Sequence, residues 1–228
     1  MIKLLIFDLD DTLYDEFQFV QNGFKEVAKY LSNKYVMDIE DLYDTMLKLL
    51  KKHGRGAIFD KLCEKYNFNE QIMKLVEIYR NAKGKFELYE DAREVLMKLQ
   101  YNYKLGMITD GKASVQWNKI KCLDIEKYFD KIIVTDDFGR EYWKPNEYAY
   151  KKMLQYFNCK QDEAIYIGDN PVKDFIGARK VGIFTARIIR EQGDNMKLEA
   201  EKGYEADFTI RNLKEILNII DNFKNRNY

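Results

Sequence analysis

Short apolar runs recur along this chain and alternate with stretches of helical periodicity, an alternation that few architectures accommodate. The runs fall at 3–7, 104–108, 131–134, 164–167, 182–186 and 207–210. Strands separated by helices build a parallel sheet covered by those helices. The sequence therefore predicts an α/β fold, a Rossmann-like parallel sheet core with helices on both faces. Most of the runs end on Asp, Gly, Thr or Asn. In open sheets of this kind ligands bind beyond the carboxyl ends of the strands, so those polar ends are where chemistry is to be sought.

The interval between the first and second runs is about ninety residues, too long for one crossover helix. Four helical stripes fill it: Val20, Phe24, Val27, Ala28 and Leu31; Leu42, Met46, Leu49 and Leu50; Ile58, Phe59, Leu62, Cys63 and Tyr66; and Ile72, Leu75, Val76 and Tyr79. The expected organisation is a core of 1–14 and 89–228 with an all-helical insertion, a cap, at 15–88. Further helices are expected at 91–99, 115–119, 146–157, 172–180 and 213–223. The polar stretch 190–204 reads as a surface excursion.

Composition narrows the function classes. Among 228 residues, Lys plus Arg and Asp plus Glu both number 38. That balance gives no electrostatic support for nucleic-acid or membrane-surface binding. No apolar run approaches the roughly 18–20 residues that span a bilayer. The apolar N-terminus meets Asp8, Asp10 and Asp11 too soon for a secretory signal. Cys63, Cys122 and Cys159 are widely separated and odd in number, which fits reduced thiols in a cytoplasmic protein.

Four segments carry chemistry. The first run leads directly into Asp8-Leu9-Asp10-Asp11-Thr12. Carboxylates at the mouth of a buried strand are costly unless a cation or hydrogen-bond donors compensate them, and a helix cap does not account for three in four positions. The second run ends in Thr109-Asp110-Gly111. A hydroxyl followed by free backbone N–H groups suits a phosphate oxyanion, although the same tripeptide makes an ordinary turn. Trp143-Lys144-Pro145 precedes a helical pattern, with Pro145 suited to its first turn. Lys144 there can neutralise a phosphate and a carboxylate together, or be one surface lysine among many. Gly168-Asp169-Asn170-Pro171-Val172-Lys173-Asp174 follows the fourth run. Its two acids are hard oxygen ligands suited to Mg²⁺, or else a pair of capping residues.

In this order, Asp-x-Asp-x-Thr, Thr-Asp-Gly, Lys-Pro and Gly-Asp-Asn-x₄-Asp, the chain resembles the haloacid dehalogenase-like superfamily along essentially its whole length. The resemblance implies that Asp8 is a nucleophile forming an aspartyl-phosphate and Asp10 the general acid and base. Thr109, with the backbone at Asp110 and Gly111, would hold the phosphoryl oxygens, and Lys144 would offset their charge. Mg²⁺ would be held by Asp8, the Asp10 carbonyl and Asp169, with Asp174 ligating through water or orienting the others. The family's dehalogenases lack the second acid, so Asp10 implies phosphate chemistry. Asp110 stands where the family often has Asn, and its side chain is expected to point away, leaving only its backbone in use.

Within the insertion, His53-Gly54-Arg55-Gly56 interrupts two helical stretches. Arg55 could reach a second anionic group on the substrate, or lie in a solvated loop. The expected function is a phosphomonoesterase acting on a small phosphorylated metabolite, as a monomer or homodimer. A phosphomutase and a non-catalytic binding protein on the same scaffold are the alternatives.

Overall fold

The structure, a computed structural model, describes residues 1–225. Its sheet has six parallel strands: β1 (Leu4–Phe7), β2 (Lys104–Thr109), β3 (Lys131–Val134), β4 (Ala164–Gly168), β5 (Phe184–Ile188) and β6 (Phe208–Ile210). Their spatial order is β3-β2-β1-β4-β5-β6. The helices are α1 (Phe17–Tyr35), α2 (Ile39–His53), α3 (Ile58–Tyr66), α4 (Ile72–Arg80), α5 (Glu90–Leu99), α6 (Ala113–Leu123), α7 (Tyr148–Phe157), α8 (Asp174–Val181) and α9 (Glu215–Asn225). By internal contacts the chain divides into two compact units, Met1–Glu16 with the chain from Phe86 onward, and Phe17–Lys85.

In the α/β unit, successive strand residues face opposite sides of the sheet. Leu4 and Ile6 of β1 pack with Ala149, Tyr150 and Met153 of α7 and with Phe175 and Ala178 of α8. Leu5 and Phe7 point the other way and are equally buried, so both faces are covered. That double coverage is why β1 reads as an uninterrupted apolar run. β1 lies between β2 and β4, and the order of connection reverses at the β1–β4 pair. With Phe7 paired to both Met107 and Ile167, the residues just beyond β1, β2 and β4 are neighbours at this switch point.

The helical unit is built on the four stripes. Val20, Phe24, Val27, Ala28, Leu31, Leu42, Met46, Leu62 and Leu75 form its buried centre, with Leu49, Leu50, Val76 and Tyr79 partly buried around them. Helix α2 begins on Asp38, whose carboxylate accepts the Asp41 N–H at 2.9 Å, and ends at Gly54 in positive φ. Among the described residues no helix is long and apolar enough to cross a membrane.

Three local expectations are corrected. β5 starts at Phe184 rather than at 182, because Gly182 adopts φ 90° and its N–H closes the end of α8 on Ala178 and Arg179. Helix α7 starts at Tyr148, after a cis Lys144–Pro145 peptide and a turn, so Pro145 is not in its first turn. Asn146 delays the helix by accepting the Tyr148 N–H at 2.8 Å. The stretch beginning at Arg190 is not merely a surface excursion. The Arg190 guanidinium pairs with Asp91 at 2.7 Å, donates to the Thr12 carbonyl at 2.7 Å and lies 4.0 Å from the centre of the Tyr89 ring.

Candidate active site

Asp8 is the first residue past β1, its N–H still bonded to the Ile167 carbonyl at 2.8 Å. Its side chain is buried, and Oδ1 accepts from Lys144 Nζ at 2.8 Å. The same ammonium donates to Asp174 Oδ1 at 2.7 Å and to the Tyr166 hydroxyl at 3.0 Å. Asp174 opens α8, where the helix N-terminus favours negative charge. Its Oδ1 also accepts from Tyr166 at 3.0 Å, and its Oδ2 accepts the Asn170 N–H at 2.8 Å. Gly168 makes this approach possible, since a Cβ there would lie 2.7 Å from the Asp174 Cγ.

Asp169, at the end of β4, is 1% exposed and accepts from Asn195 Nδ2 at 2.9 Å. Asp8, Asp169 and Asp174 bring carboxylate oxygens within 4.8 Å of one another. Burial pushes the Asp8 carboxyl up to about 8; Lys144 opposes that shift and Asp174 adds to it. Asp169 is driven well above the usual carboxylate range, by burial first and then by the Asp174 and Asp8 charges. Lys144 is held protonated by Asp174 and Asp8 against the cost of its burial. Asp8 and Asp174 thus share one ammonium while Asp169 has only an amide donor, and a divalent cation would relieve the remaining repulsion. Hard oxygens at this separation fit Mg²⁺.

Thr109 closes β2. Its buried Oγ1 accepts from Gln116 Nε2 at 2.7 Å. Gly111, with φ 127°, leaves room for that glutamine, whose Oε1 would lie 3.1 Å from a Cβ. The Asp110 side chain, expected to point away, has a structural role of its own. Its Oδ1 accepts from Thr135 Oγ1 at 2.7 Å and from the Lys144 N–H at 3.1 Å, which fixes the backbone that carries Lys144.

Asp10 lies in the turn after β1 and accepts three side-chain donors, Tyr14, Gln116 and Lys119. Asp11, at φ 52°, accepts the N–H groups of Glu16 and Asp194 and anchors both segments to the turn. Arg55 belongs to the helical unit. With Phe24, Ile58, Phe59 and Tyr79 it lines a cavity of about 270 Å³ there. His53 is exposed in the last turn of α2.

Sequence reasoning missed Gln116, Lys119, Tyr166 and Asn195. The first two carried a readable signal, because they share a helical stripe with Ile120 and Leu123, and polar residues on an apolar stripe need partners. Tyr166 is indistinguishable from a core aromatic in an apolar strand, and Asn195 lies in a loop without periodicity.

Comparison with known proteins bears on this arrangement. Residues 5–188 match the family described as haloacid dehalogenase-like hydrolase. The chain belongs to that family. As a haloacid dehalogenase-like hydrolase it is 32% identical to a glyceraldehyde 3-phosphate phosphatase of Methanocaldococcus jannaschii, over 98% of this chain and 99% of that one. It is 30% identical to a phosphatase of the same name from Pyrococcus furiosus, over 96% and 93% of the two chains. The crystal structure of the putative hydrolase YfnB from Bacillus subtilis, bound to magnesium, shares the fold at a TM-score of 0.70 and 19% identity, covering 96% of this chain and 98% of that one. The chain is thus an enzyme of a hydrolase family, with full-length relatives that are phosphatases.

Proposed function

We propose that the chain hydrolyses a small phosphomonoester through an aspartyl-phosphate on Asp8. The observation that carries this reading is the placement of Asp8 at the sheet's switch point, with one carboxylate oxygen held by the buried Lys144. In the first step a carboxylate oxygen of Asp8 attacks phosphorus, the bond to the leaving oxygen breaks, and Asp10 gives that oxygen a proton. In the second, a water oxygen attacks phosphorus while Asp10 takes the water's proton, and the Asp8–phosphorus bond breaks to release phosphate. Thr109 and the backbone N–H groups at Asp110 and Gly111 hold the phosphoryl oxygens. Lys144 balances the charge on them and on Asp8.

Asp8, the Asp10 carbonyl and Asp169 would hold Mg²⁺, which supplies positive charge to the phosphoryl group when bound. Asp174 acts as an orienting group, since both its oxygens already accept donors from this chain. Arg55 is proposed as the partner of a second anionic group on the substrate. The names of the full-length relatives support a triose phosphate as the first substrate to test.

A hydrolysis screen over phosphorylated metabolites in Mg²⁺, including glyceraldehyde 3-phosphate and run beside Asp8→Asn, tests the reading. Free phosphate is expected from the native chain and none from the variant. Equal release by the two would refute it.

A further inference from the structure

We infer that Lys119, together with Tyr14 and Gln116, positions Asp10 so that its Oδ2 alone exchanges a proton with the substrate and with water. This rests on the assignment of Asp10 as the general acid and base.

The hydrogen bonds around Asp10 are unevenly divided. Oδ1 accepts from the Tyr14 hydroxyl at 2.8 Å and from Lys119 Nζ at 2.8 Å, and Oδ2 accepts from Gln116 Nε2 at 2.9 Å. A carboxylate offers about four lone-pair sites, two on each oxygen. Both sites on Oδ1 are taken and one on Oδ2 is open. A leaving-group oxygen or an incoming water can therefore meet Oδ2 without displacing a bond, and cannot meet Oδ1.

Lys119 is committed to this arrangement. Its side chain is 3% exposed, and its ammonium is shared between Asp10 and Glu16, each at 2.8 Å. A buried ammonium is tolerated only with close partners, and Asp10 and Glu16 hold Lys119 between them. Gln116 Nε2 is shared in turn between Asp10 Oδ2 and Thr109 Oγ1, which ties Oδ2 to the hydroxyl assigned above to the phosphoryl oxygens. The three donors come from two segments: Tyr14 follows the turn after β1, and Gln116 and Lys119 lie one helical turn apart on α6. The proton balance is that of the two steps above: Oδ2–H is given to the departing oxygen, and Oδ2 regains a proton from water.

Positioning of a general acid has a signature that loss of structure lacks. Protonation matters most for a poor leaving group and little for a good one. The test is the dependence of kcat/KM on leaving group across aryl phosphates, from 4-nitrophenyl phosphate to phenyl phosphate, whose phenol has a pKa of about 10. For Lys119→Met we expect a loss of about 10- to 100-fold on phenyl phosphate and only a few-fold on 4-nitrophenyl phosphate, so that the dependence steepens. Lys119→Arg should restore the native slope. Asp10→Asn, measured alongside, should be steeper still. Tyr14→Phe removes one donor without exposing a buried charge, and should steepen the slope by a smaller amount if Lys119→Met does not fold. Parallel slopes for Lys119→Met and Tyr14→Phe beside a steep Asp10→Asn would overturn this inference alone. A native slope in Asp10→Asn would overturn the assignment of Asp10 itself.

Discussion

Lys144→Met removes the ammonium bonded to both Asp8 and Asp174, and its effect on the metal-free protein follows from the contacts it breaks. Lys144 Nζ lies 2.8 Å from Asp8, 2.7 Å from Asp174 and 3.0 Å from the Tyr166 hydroxyl, and its side chain is 3% exposed. Methionine fills a similar volume but leaves the carboxylates without their cation. Removing one partner of a buried ion pair costs about 3–5 kcal/mol. For a chain of this size each kcal/mol lowers Tm by about 2–4 °C, so a fall of about 6–20 °C is expected. The fall should be larger at pH 9 than at pH 6, because at the lower pH Asp8, pushed up to about 8, takes up a proton instead. Thermal denaturation in excess chelator, read by circular dichroism at both pH values, measures this. Steady-state hydrolysis of 4-nitrophenyl phosphate with Mg²⁺ should fall about 10²–10³-fold, as for loss of one charge-stabilising group. A Tm within about 2 °C of the native value at pH 9 would refute the reasoning, since it would mean that Lys144 compensates no buried charge.

Further expectations follow from neighbouring contacts. In the metal-free protein Asp8 and Asp169 have raised carboxyl pKa values, so above pH 5 the folded state holds protons that the unfolded state has lost. Stability should therefore fall as pH rises from about 5 to 8, and saturating Mg²⁺ should flatten the trend; a Tm independent of pH in chelator would contradict this. Asn195→Ala leaves Asp169 without its amide donor and should raise the Mg²⁺ concentration for half-maximal activity by about 10- to 100-fold, as for other outer-sphere partners. An unchanged Mg²⁺ titration would exclude that role for Asn195. Gly168→Ala places a methyl group against the Asp174 carboxylate and should destabilise by about 1–3 kcal/mol in urea unfolding; native stability would show that Asp174 has room to move.

The parallel sheet was legible because β1, β2 and β4 are buried on both faces and so appear as plain apolar runs ending in acids or hydroxyls. The four helices of the second unit were equally legible, since each has one apolar stripe to bury. Where the sequence reading slipped, a local hydrogen bond overrode the pattern. Gly182 serves as a helix terminator, not the start of β5, and Asn146 holds Tyr148 back from the turn at Pro145. The chemistry-bearing residues at strand ends could be picked out by their cost of burial. Their supporting residues could not be found that way. Asn195 reaches Asp169 from 26 residues away, and Tyr166 meets Asp174 only because alternate residues of β4 face α8. The Asp110 side chain was expected to point away, but its partners, Thr135 and the Lys144 backbone, lie 25 and 34 residues off and left no local signal.

The central claim is that Asp8 becomes covalently phosphorylated during turnover. It is tested most directly by acid-quenching the enzyme while it hydrolyses a phosphomonoester, then locating any phosphoryl group by peptide mass spectrometry. One phosphoryl group on the peptide that contains Asp8, discharged by hydroxylamine and absent from Asp8→Asn, is the predicted result. Turnover with no phosphorylated peptide, or with the group on another residue, would contradict it.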